Sequence, residues 1–113
     1  MENCLFCKII AGEIPSEKVY EDDEVLAFKD INPMAPVHIL IIPKKHIDGA
    51  DQLDESNSTV VSKIFAIASQ LAKELKLDNG FRIVTNVGSD GGQTVRHLHF
   101  HLLGGAKLKT ELC

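Results

Sequence analysis

The most regular pattern in the chain is an alternation of histidine with large apolar residues over positions 96–103. A repeat of two residues predicts a β-strand, whose successive side chains point to opposite faces. We therefore expect His97, His99 and His101 on one face and an apolar, core-facing row on the other. Because buried imidazoles need partners, the histidine face should hold a substrate, a metal or water. A solvated polar face that happens to use histidine is the plain alternative.

Similar patterns predict the other elements. Residues 37–42 are almost all apolar, which indicates a strand covered on both faces, and residues 29–36 contain two prolines typical of an ordered loop. The predicted elements are a short helix at 6–11, strands at 18–20, 24–28, 37–42, 81–87 and 96–103, and a long helix at 58–77. The sum is an α+β domain with a five-stranded antiparallel sheet, one long helix and one short helix, and we treat 1–113 as a single domain. The apolar stripe of the long helix is wide, as expected either for a single broad core face or for contact with a partner subunit.

Composition narrows the possible functions. The chain has 113 residues, of which 44% are hydrophobic and 25% charged, enough for one globular core. Its net charge of −4 provides no basic field for polymeric nucleic acid. No apolar run approaches the ~20 residues that span a bilayer, and the start of the chain lacks the pattern of a secretion signal. We expect a cytoplasmic protein without a membrane partner.

Two of the three cysteines form a Cys-x-x-Cys pair, Cys4 and Cys7. In a reducing compartment this pair indicates free thiols or half of a metal site rather than a disulfide. Two small buried apolar residues are the alternative, and a redox pair is disfavoured without a thioredoxin-like pattern. The third cysteine, Cys113, has no visible role.

A Gly-rich loop at 88–94 leads into the histidines. Glycines allow close backbone approach to a ligand, and loop N–H groups can cradle a phosphate, although such a loop is more often a plain turn. A neutral imidazole whose Nδ1–H is held by a carbonyl presents Nε2 as a nucleophile, and a histidine two residues away can contact the same group. The competing interpretation is a zinc site that uses two of the imidazoles.

The segment His97-Leu98-His99-Phe100-His101-Leu102-Leu103 matches the motif His-φ-His-φ-His-φ-φ, where φ is apolar. The chain thereby resembles the histidine triad superfamily of nucleotide hydrolases and transferases, and its Hint branch in particular. Further matching segments are Lys8-Ile9-Ile10, Glu13-Ile14-Pro15, Leu26-Ala27-Phe28, Ile42-Pro43-Lys44-Lys45-His46-Ile47 and Gly88-Ser89-Asp90-Gly91-Gly92-Gln93. Together they cover nearly the whole chain in the right order.

The resemblance implies a homodimer, joined through the long helix and a sheet edge into one continuous sheet. It also implies hydrolysis of purine nucleoside phosphoramidates and aminoacyl-adenylates to nucleoside monophosphates, with no catalytic metal required. His99 would be the nucleophile that forms a nucleotidyl-histidine intermediate. His101 would contact the phosphate and the leaving group, and His38 would hydrogen-bond the catalytic imidazole and orient it.

By the same resemblance, Phe28, Asp30 and Ile31 would form the base and ribose pocket. The phosphate-side contacts would be Asn86, Gly92, Gln93 and Thr94. From the residues alone, Phe28 and Ile31 are equally well explained as core, and Asp30 as part of a turn stabilised by its side chain. Zinc-bearing members of the superfamily use a metal site that maps onto Cys4, Cys7, His46 and His97, so we expect a structural Zn²⁺.

Two departures from the common Hint pattern affect the leaving group. Thr94 stands where a serine is usual, which keeps the hydroxyl, and the tail beyond Gly105 lacks the Trp and His of some relatives. The rival functions are hydrolysis of dinucleoside polyphosphates by the same triad, and a nucleotide-binding or zinc-dependent adaptor without relevant catalysis.

Overall fold

The computed structural model describes residues 3–111, so Cys113 lies outside the described residues. Its sheet is antiparallel and has five strands in the order β1-β2-β3-β5-β4. The elements are α1 (Leu5–Ile10), β1 (Lys18–Glu21), β2 (Val25–Lys29), β3 (Val37–Pro43), a 3-10 turn (Ala50–Gln52), α2 (Thr59–Glu74), β4 (Phe81–Val84) and β5 (Phe100–Gly104). The α+β architecture and the five-stranded antiparallel sheet confirm the predicted fold class.

The sheet is covered on both faces, as the apolar run in β3 predicts. On one face α2 packs its buried residues Ile64, Ile67, Ala68 and Leu71 against alternate residues of β3 and β5. On the other face a smaller cluster joins the buried Phe6 and Ile9 of α1 to Leu26, Phe28, Leu40 and Ile42. Each cluster excludes water from one side of the central strands, and this burial is the main stabilising contribution.

The stripe of α2 is wider than the sheet it covers. Phe65 is 46% exposed and Leu75 40% exposed, while Phe81 at the start of the edge strand β4 is 43% exposed. These side chains lie on the helix and strand through which a homodimer is expected to form.

The first hairpin is closed by the side chain of Asp22. Its Oδ1 accepts from the main-chain N–H groups of Glu24 (2.7 Å) and Val25 (2.9 Å). Its Oδ2 accepts from the Tyr20 hydroxyl at 2.6 Å and lies 2.9 Å from the Lys63 ammonium of α2. One carboxylate therefore holds the turn between β1 and β2 and ties it to the long helix.

The histidine strand is shorter than predicted. Only Phe100–Gly104 pair as β5, and β4 ends at Val84 rather than at residue 87. The main-chain N–H of Leu98 donates instead to the Ile47 carbonyl at 2.6 Å, outside the sheet ladder. The alternation of faces survives this irregularity, because Leu98 and Phe100 belong to the core beneath α2 whereas the histidines face the opposite side.

Across residues 3–111, none of the helices combines the length and apolar character that crossing a membrane requires.

Candidate active site and metal centre

His99 lies buried just before β5, with 4% of its surface exposed. Its Nδ1 is 2.7 Å from the main-chain carbonyl of His97, and its own carbonyl accepts from the Thr85 hydroxyl at 2.8 Å. A carbonyl can only accept, so Nδ1 carries the proton and Nε2 carries the lone pair. Burial lowers the pKa of His99, a shift that the His97 carbonyl only partly opposes. This is the neutral, oriented imidazole that nucleophilic attack through Nε2 requires.

His38 holds a second imidazole, that of His101. Its Nδ1 accepts from the main-chain N–H of Met34 at 3.0 Å, which leaves the proton on Nε2. That Nε2 lies 2.9 Å from Nδ1 of His101, so His38 donates and His101 accepts. The proton of neutral His101 is thereby confined to its Nε2.

The partner of His38 corrects one expectation. The resemblance implied that His38 would hydrogen-bond the imidazole of His99, but the structure pairs it with His101. The reason is strand register: His38 stands opposite Leu103 and Leu40 opposite His101, so His38 and His101 are diagonal neighbours on one face. His99 is oriented instead by the main-chain carbonyl of His97.

The environment keeps these two imidazoles neutral. Burial and the neighbouring His99 and His38 lower the pKa of His101 to about 4. Burial also lowers the pKa of His38, and the Asp30 carboxylate, 3.5 Å from its Nε2, only partly offsets that shift. At neutral pH the pair therefore works as a hydrogen-bond relay that starts at a backbone N–H.

The residues expected for the base and ribose pocket differ widely in exposure. Phe28 is 4% exposed and packs edge-on against Phe6, whereas Ile31 is 89% exposed. Asp30 stands between them in the sequence, and its Oδ1 accepts from the main-chain N–H of Asn32 at 2.8 Å. Asp30 thus makes the side-chain turn considered above, while its Oδ2 faces the histidines.

Three N–H groups of the Gly-rich loop, those of Gly88, Gly92 and Gln93, are committed to acceptors within the loop. The N–H groups of Gly92 and Gln93 donate to the carbonyls of Ser89 and Gly88 inside the loop. A Cβ added to Gly91 would lie 2.2 Å from the Val87 carbonyl oxygen. At least one of these glycines is therefore required by close packing within the loop rather than by a ligand.

Gln93 also differs from its expected role as a phosphate contact. Its Oε1 accepts from the Gly88 N–H at 2.9 Å and from Arg96, and its Nε2 donates to the carbonyls of Asp48 and Val95. With this carboxamide fully committed to protein partners, we assign its side chain to holding the loop against the segment after β3.

The other phosphate-side residues border two different cavities. Asn86 lines a cavity of about 630 Å³ together with His38 and His101. Thr94 lines another, of about 880 Å³, beside Cys4 and His46. The side-chain N–H of Asn86 already donates to the Gly91 carbonyl at 2.8 Å. The structure thus brings Asn86 to the imidazole pair and places Thr94 on the side of the cysteines.

Cys4, Cys7, His46 and His97 form a compact group, which we call the metal cluster; one ligand atom from each lies within 4.8 Å of all the others. The Cys4 Sγ is 3.3 Å from Nδ1 of His97, and the Cys7 Sγ is 3.3 Å from Nδ1 of His46 and 3.6 Å from that of His97. Tetrahedral zinc with ordinary bond lengths separates such ligand atoms by about 3.5 Å.

The outer contacts also suit a metal. The Nε2–H of His97 donates to the Pro43 carbonyl at 2.8 Å, and that of His46 to the Asp48 carboxylate at 2.7 Å. Both imidazoles therefore turn an unprotonated Nδ1 toward the sulfurs, the arrangement typical of metal-bound histidine. Burial and the adjacent Cys4 raise the pKa of Cys7 to about 11, a penalty on thiolate charge that a bound dication would relieve.

A second group, Asp30, His38 and His101, also has its ligand atoms within 4.8 Å of one another. The proton that Met34 forces onto Nε2 of His38 occupies the atom that would have to coordinate. This group therefore lacks a third free ligand atom, and we assign no metal to it.

Sequence reasoning missed three contributors to the site. Phe6, which lies between the two cysteines, contacts His99 edge-on at a ring distance of 5.0 Å. Asp48 orients His46, and the backbone of Met34 orients His38. The position of Phe6 inside Cys-x-x-Cys was a usable signal for the first, whereas nothing in the sequence marks a backbone donor.

Comparison with known proteins agrees with this architecture. The family model described as "HIT domain" matches residues 11–108. Protein HitA of Neisseria gonorrhoeae is 46% identical over 104 residues, 92% of this chain and 97% of the relative. A HIT family hydrolase from Clostridium thermocellum is 49% identical, with a TM-score of 0.97 over 100% of this chain and 99% of the other. A histidine triad protein from Clostridium difficile is 54% identical, with a TM-score of 0.93 over 96% of each chain. The motif, the fold and these similarities together show that the chain belongs to the HIT family.

Proposed function

We propose that this protein is a hydrolase that cleaves purine nucleoside 5′-phosphoramidates and aminoacyl-adenylates to nucleoside monophosphates. The observation that carries the proposal is the state of His99: its Nδ1–H is held by the His97 carbonyl at 2.7 Å, which leaves Nε2 as the nucleophile. The hydrolase named in Clostridium thermocellum and a histidine triad nucleotide-binding protein named in Sulfolobus tokodaii, 34% identical, support a nucleotide hydrolase in general terms.

The reaction we propose has two displacements. Nε2 of His99 attacks phosphorus and the bond from phosphorus to the leaving group breaks. The amine of a phosphoramidate leaves with one proton from the medium, whereas the carboxylate of an aminoacyl-adenylate leaves as an anion. Water then attacks phosphorus, the bond to Nε2 breaks, and water returns one proton. The Nε2–H of His101 donates to the phosphoryl group in both steps and stabilises the charge that develops there. The His97 carbonyl stabilises the positive charge on the His99 ring while phosphorus is attached.

Substrate binding is assigned to the residues around this pair. Phe28 and Ile31 would hold the purine, and the free Oδ2 of Asp30 would accept from a ribose hydroxyl. Asn86 borders the His38–His101 cavity and is our candidate for contact with the phosphate side. Gly92 and Thr94, in the same Gly-rich loop, stay predictions from the resemblance: the backbone of Gly92 and the hydroxyl of Thr94 would contact the phosphate side.

We further propose a structural Zn²⁺ in the metal cluster. The four residues would hold it with two sulfurs and two nitrogens, a closed set that leaves no position for substrate. Its contribution would be to pin α1 against the segment that precedes β5. We also propose a cytoplasmic homodimer formed through α2 and the edge strand β4, where Phe65 and Phe81 are exposed.

The decisive experiment is intact mass spectrometry of His101→Ala mixed briefly with a fluorogenic adenosine phosphoramidate. We expect a trapped adduct of one AMP, absent from the double variants that also carry His99→Ala or His99→Gly. Steady-state rates of wild type and of the two His99 single variants complete the test. If wild type turns over a dinucleoside polyphosphate but not the phosphoramidate, the proposed substrate class is wrong and dinucleoside polyphosphates take its place. Nucleotide binding without turnover of either would favour the adaptor function.

A further inference from the structure

We propose that the metal cluster positions the nucleophile, and that Phe6 is a positioning residue through which it does so. The proposal is about the orientation of the His99 ring. It rests on the proposed function only in the experiment that measures turnover. Two separate links join the cluster to that ring.

The first link is His97, which serves both sites at once. Its Nδ1 lies 3.3 Å from the Cys4 sulfur in the cluster, and its Nε2–H donates to the Pro43 carbonyl. Its main-chain carbonyl, meanwhile, accepts the Nδ1–H of His99 at 2.7 Å. Because this side chain is fully buried and held at both ring nitrogens, the carbonyl has little freedom. Whatever fixes the His97 ring in the cluster therefore fixes the acceptor that sets the tautomer of His99.

The second link is Phe6, which stands between the two cysteines. Its ring meets that of His99 at a centroid distance of 5.0 Å and an angle of 90°, and that of His97 at 5.9 Å and 71°. On its other side it meets Phe28 at 5.6 Å. An edge-to-face contact of this kind restrains the tilt of the imidazole, on which the direction of the Nε2 lone pair depends.

The helix that carries Phe6 depends on the cluster for its own position. α1 has six residues, fewer than an isolated helix needs for stability. The side chains that fix it are the buried Phe6 and Ile9, the half-buried Ile10 beside them, and the two sulfurs, of which Cys4 also caps the helix by accepting from the Cys7 N–H. Loss of the sulfur contacts would leave the helix attached by apolar side chains alone. Phe6 would then no longer be held against His99.

The test compares Phe6→Leu with Ile9→Val in the full-length, zinc-loaded protein. Both changes remove apolar volume from the same helix and the same core cluster, and both keep all four ligands, but only Phe6 contacts His99. We expect Phe6→Leu to lower kcat about tenfold with KM changed less than about threefold, as misalignment of a nucleophile predicts. Ile9→Val should keep the wild-type kcat at a comparable melting temperature.

A second readout does not require turnover. Nitrogen-15 NMR of the histidine side chains reports the Nδ1–H of His99 and its exchange with water. We expect exchange to be about tenfold faster in Phe6→Leu, in Cys7→Ser and in wild type stripped of metal by a chelator, while zinc content stays unchanged only in Phe6→Leu.

Two outcomes would overturn the proposal. One is a folded, metal-free protein that keeps wild-type exchange at His99. The other is a Phe6→Leu variant that matches Ile9→Val in both kcat and exchange. If wild type turns over no nucleotide substrate, the proposed function fails, whereas the exchange measurements still decide whether the cluster positions His99.

Discussion

Removing the imidazole of His38 tests the relay that fixes the proton of His101. His38→Ala deletes the donor 2.9 Å from Nδ1 of His101 and leaves the Met34 N–H without its acceptor at 3.0 Å. A net hydrogen bond of this kind contributes about 1 kcal/mol, so the two together predict a loss of roughly 2 kcal/mol of stability. The cavity left by the 7% exposed ring adds to that loss.

The catalytic effect follows from the loss of the hydrogen bond between His38 and His101. Without the donor, neutral His101 can carry its proton on Nδ1. Its Nε2 then has no hydrogen to donate to a phosphoryl oxygen. A bias of about 1 kcal/mol corresponds to a five-fold change in the tautomer ratio, so kcat should fall by up to about five-fold with KM little changed. The assay is steady-state turnover of an adenosine phosphoramidate, with nitrogen-15 NMR to assign the tautomer.

His38→Gln is the matched control. Its carboxamide oxygen can accept from the Met34 N–H and its NH₂ group can donate to His101, so we expect most of kcat and the Nε2–H tautomer to return. The reasoning is refuted if His38→Ala keeps the wild-type tautomer of His101, or if the Gln and Ala variants are equally impaired.

Four further predictions follow from particular contacts. Purified protein should contain about one zinc per subunit, and chelation should lower the melting temperature by roughly 10 °C; metal-free protein of unchanged stability with both thiols titratable would remove the metal claim. Wild type should sediment as a dimer at micromolar concentration and Phe81→Glu as a monomer, whereas a monomeric wild type would exclude the dimer. Asp22→Ala should cost about 2 kcal/mol in urea unfolding, because the turn after β1 loses its acceptor; Asp23→Ala is the control, and equal losses would contradict the assignment. Burial lowers the pKa of His101 to about 4 from an ordinary 6.5, so the unfolded chain binds its proton first and stability should fall as pH drops from 6.5 toward 4. An acid transition that is identical in His101→Gln would show that another group is responsible.

The fold could be predicted from the sequence because its core residues recur at the regular spacings of strands and helices. The apolar run in β3 predicted a strand covered on both faces, and α2 and α1 supply those two covers. The helical stripe from Val60 to Leu75 predicted a helix at 58–77, within a few residues of the observed Thr59–Glu74. These signals are local, and local patterns determine which face of an element is buried.

Contacts between distant segments were less accessible. No pattern states that His38 pairs with His101 rather than with His99, because the choice depends on the register of β3 against β5. The commitment of Gln93 to Asp48 depends in the same way on a contact across 45 positions. The expected metal ligands came from the family resemblance, whereas the acceptors of their ring N–H groups, the Pro43 carbonyl and the Asp48 carboxylate, were revealed only by the structure.

The place where the predicted strand fails is also the place where the nucleophile is made. In a regular ladder the carbonyl of His97 would be directed at a neighbouring strand, and it could not accept from a side chain two residues later. Here pairing of β5 with β3 begins at Phe100, opposite Ile41, and the preceding N–H of Leu98 is diverted to Ile47. The His97 carbonyl belongs to the same planar peptide and points away from that N–H; it lies outside the paired residues of β5 and accepts the Nδ1–H of His99. Local irregularity of this kind is stabilised by the rest of the fold, here by the Thr85 hydroxyl on the His99 carbonyl and by the partners of the His97 ring. A sequence change that restored regular pairing across residues 97–99 would therefore complete the sheet and remove the acceptor on which the chemistry of His99 depends.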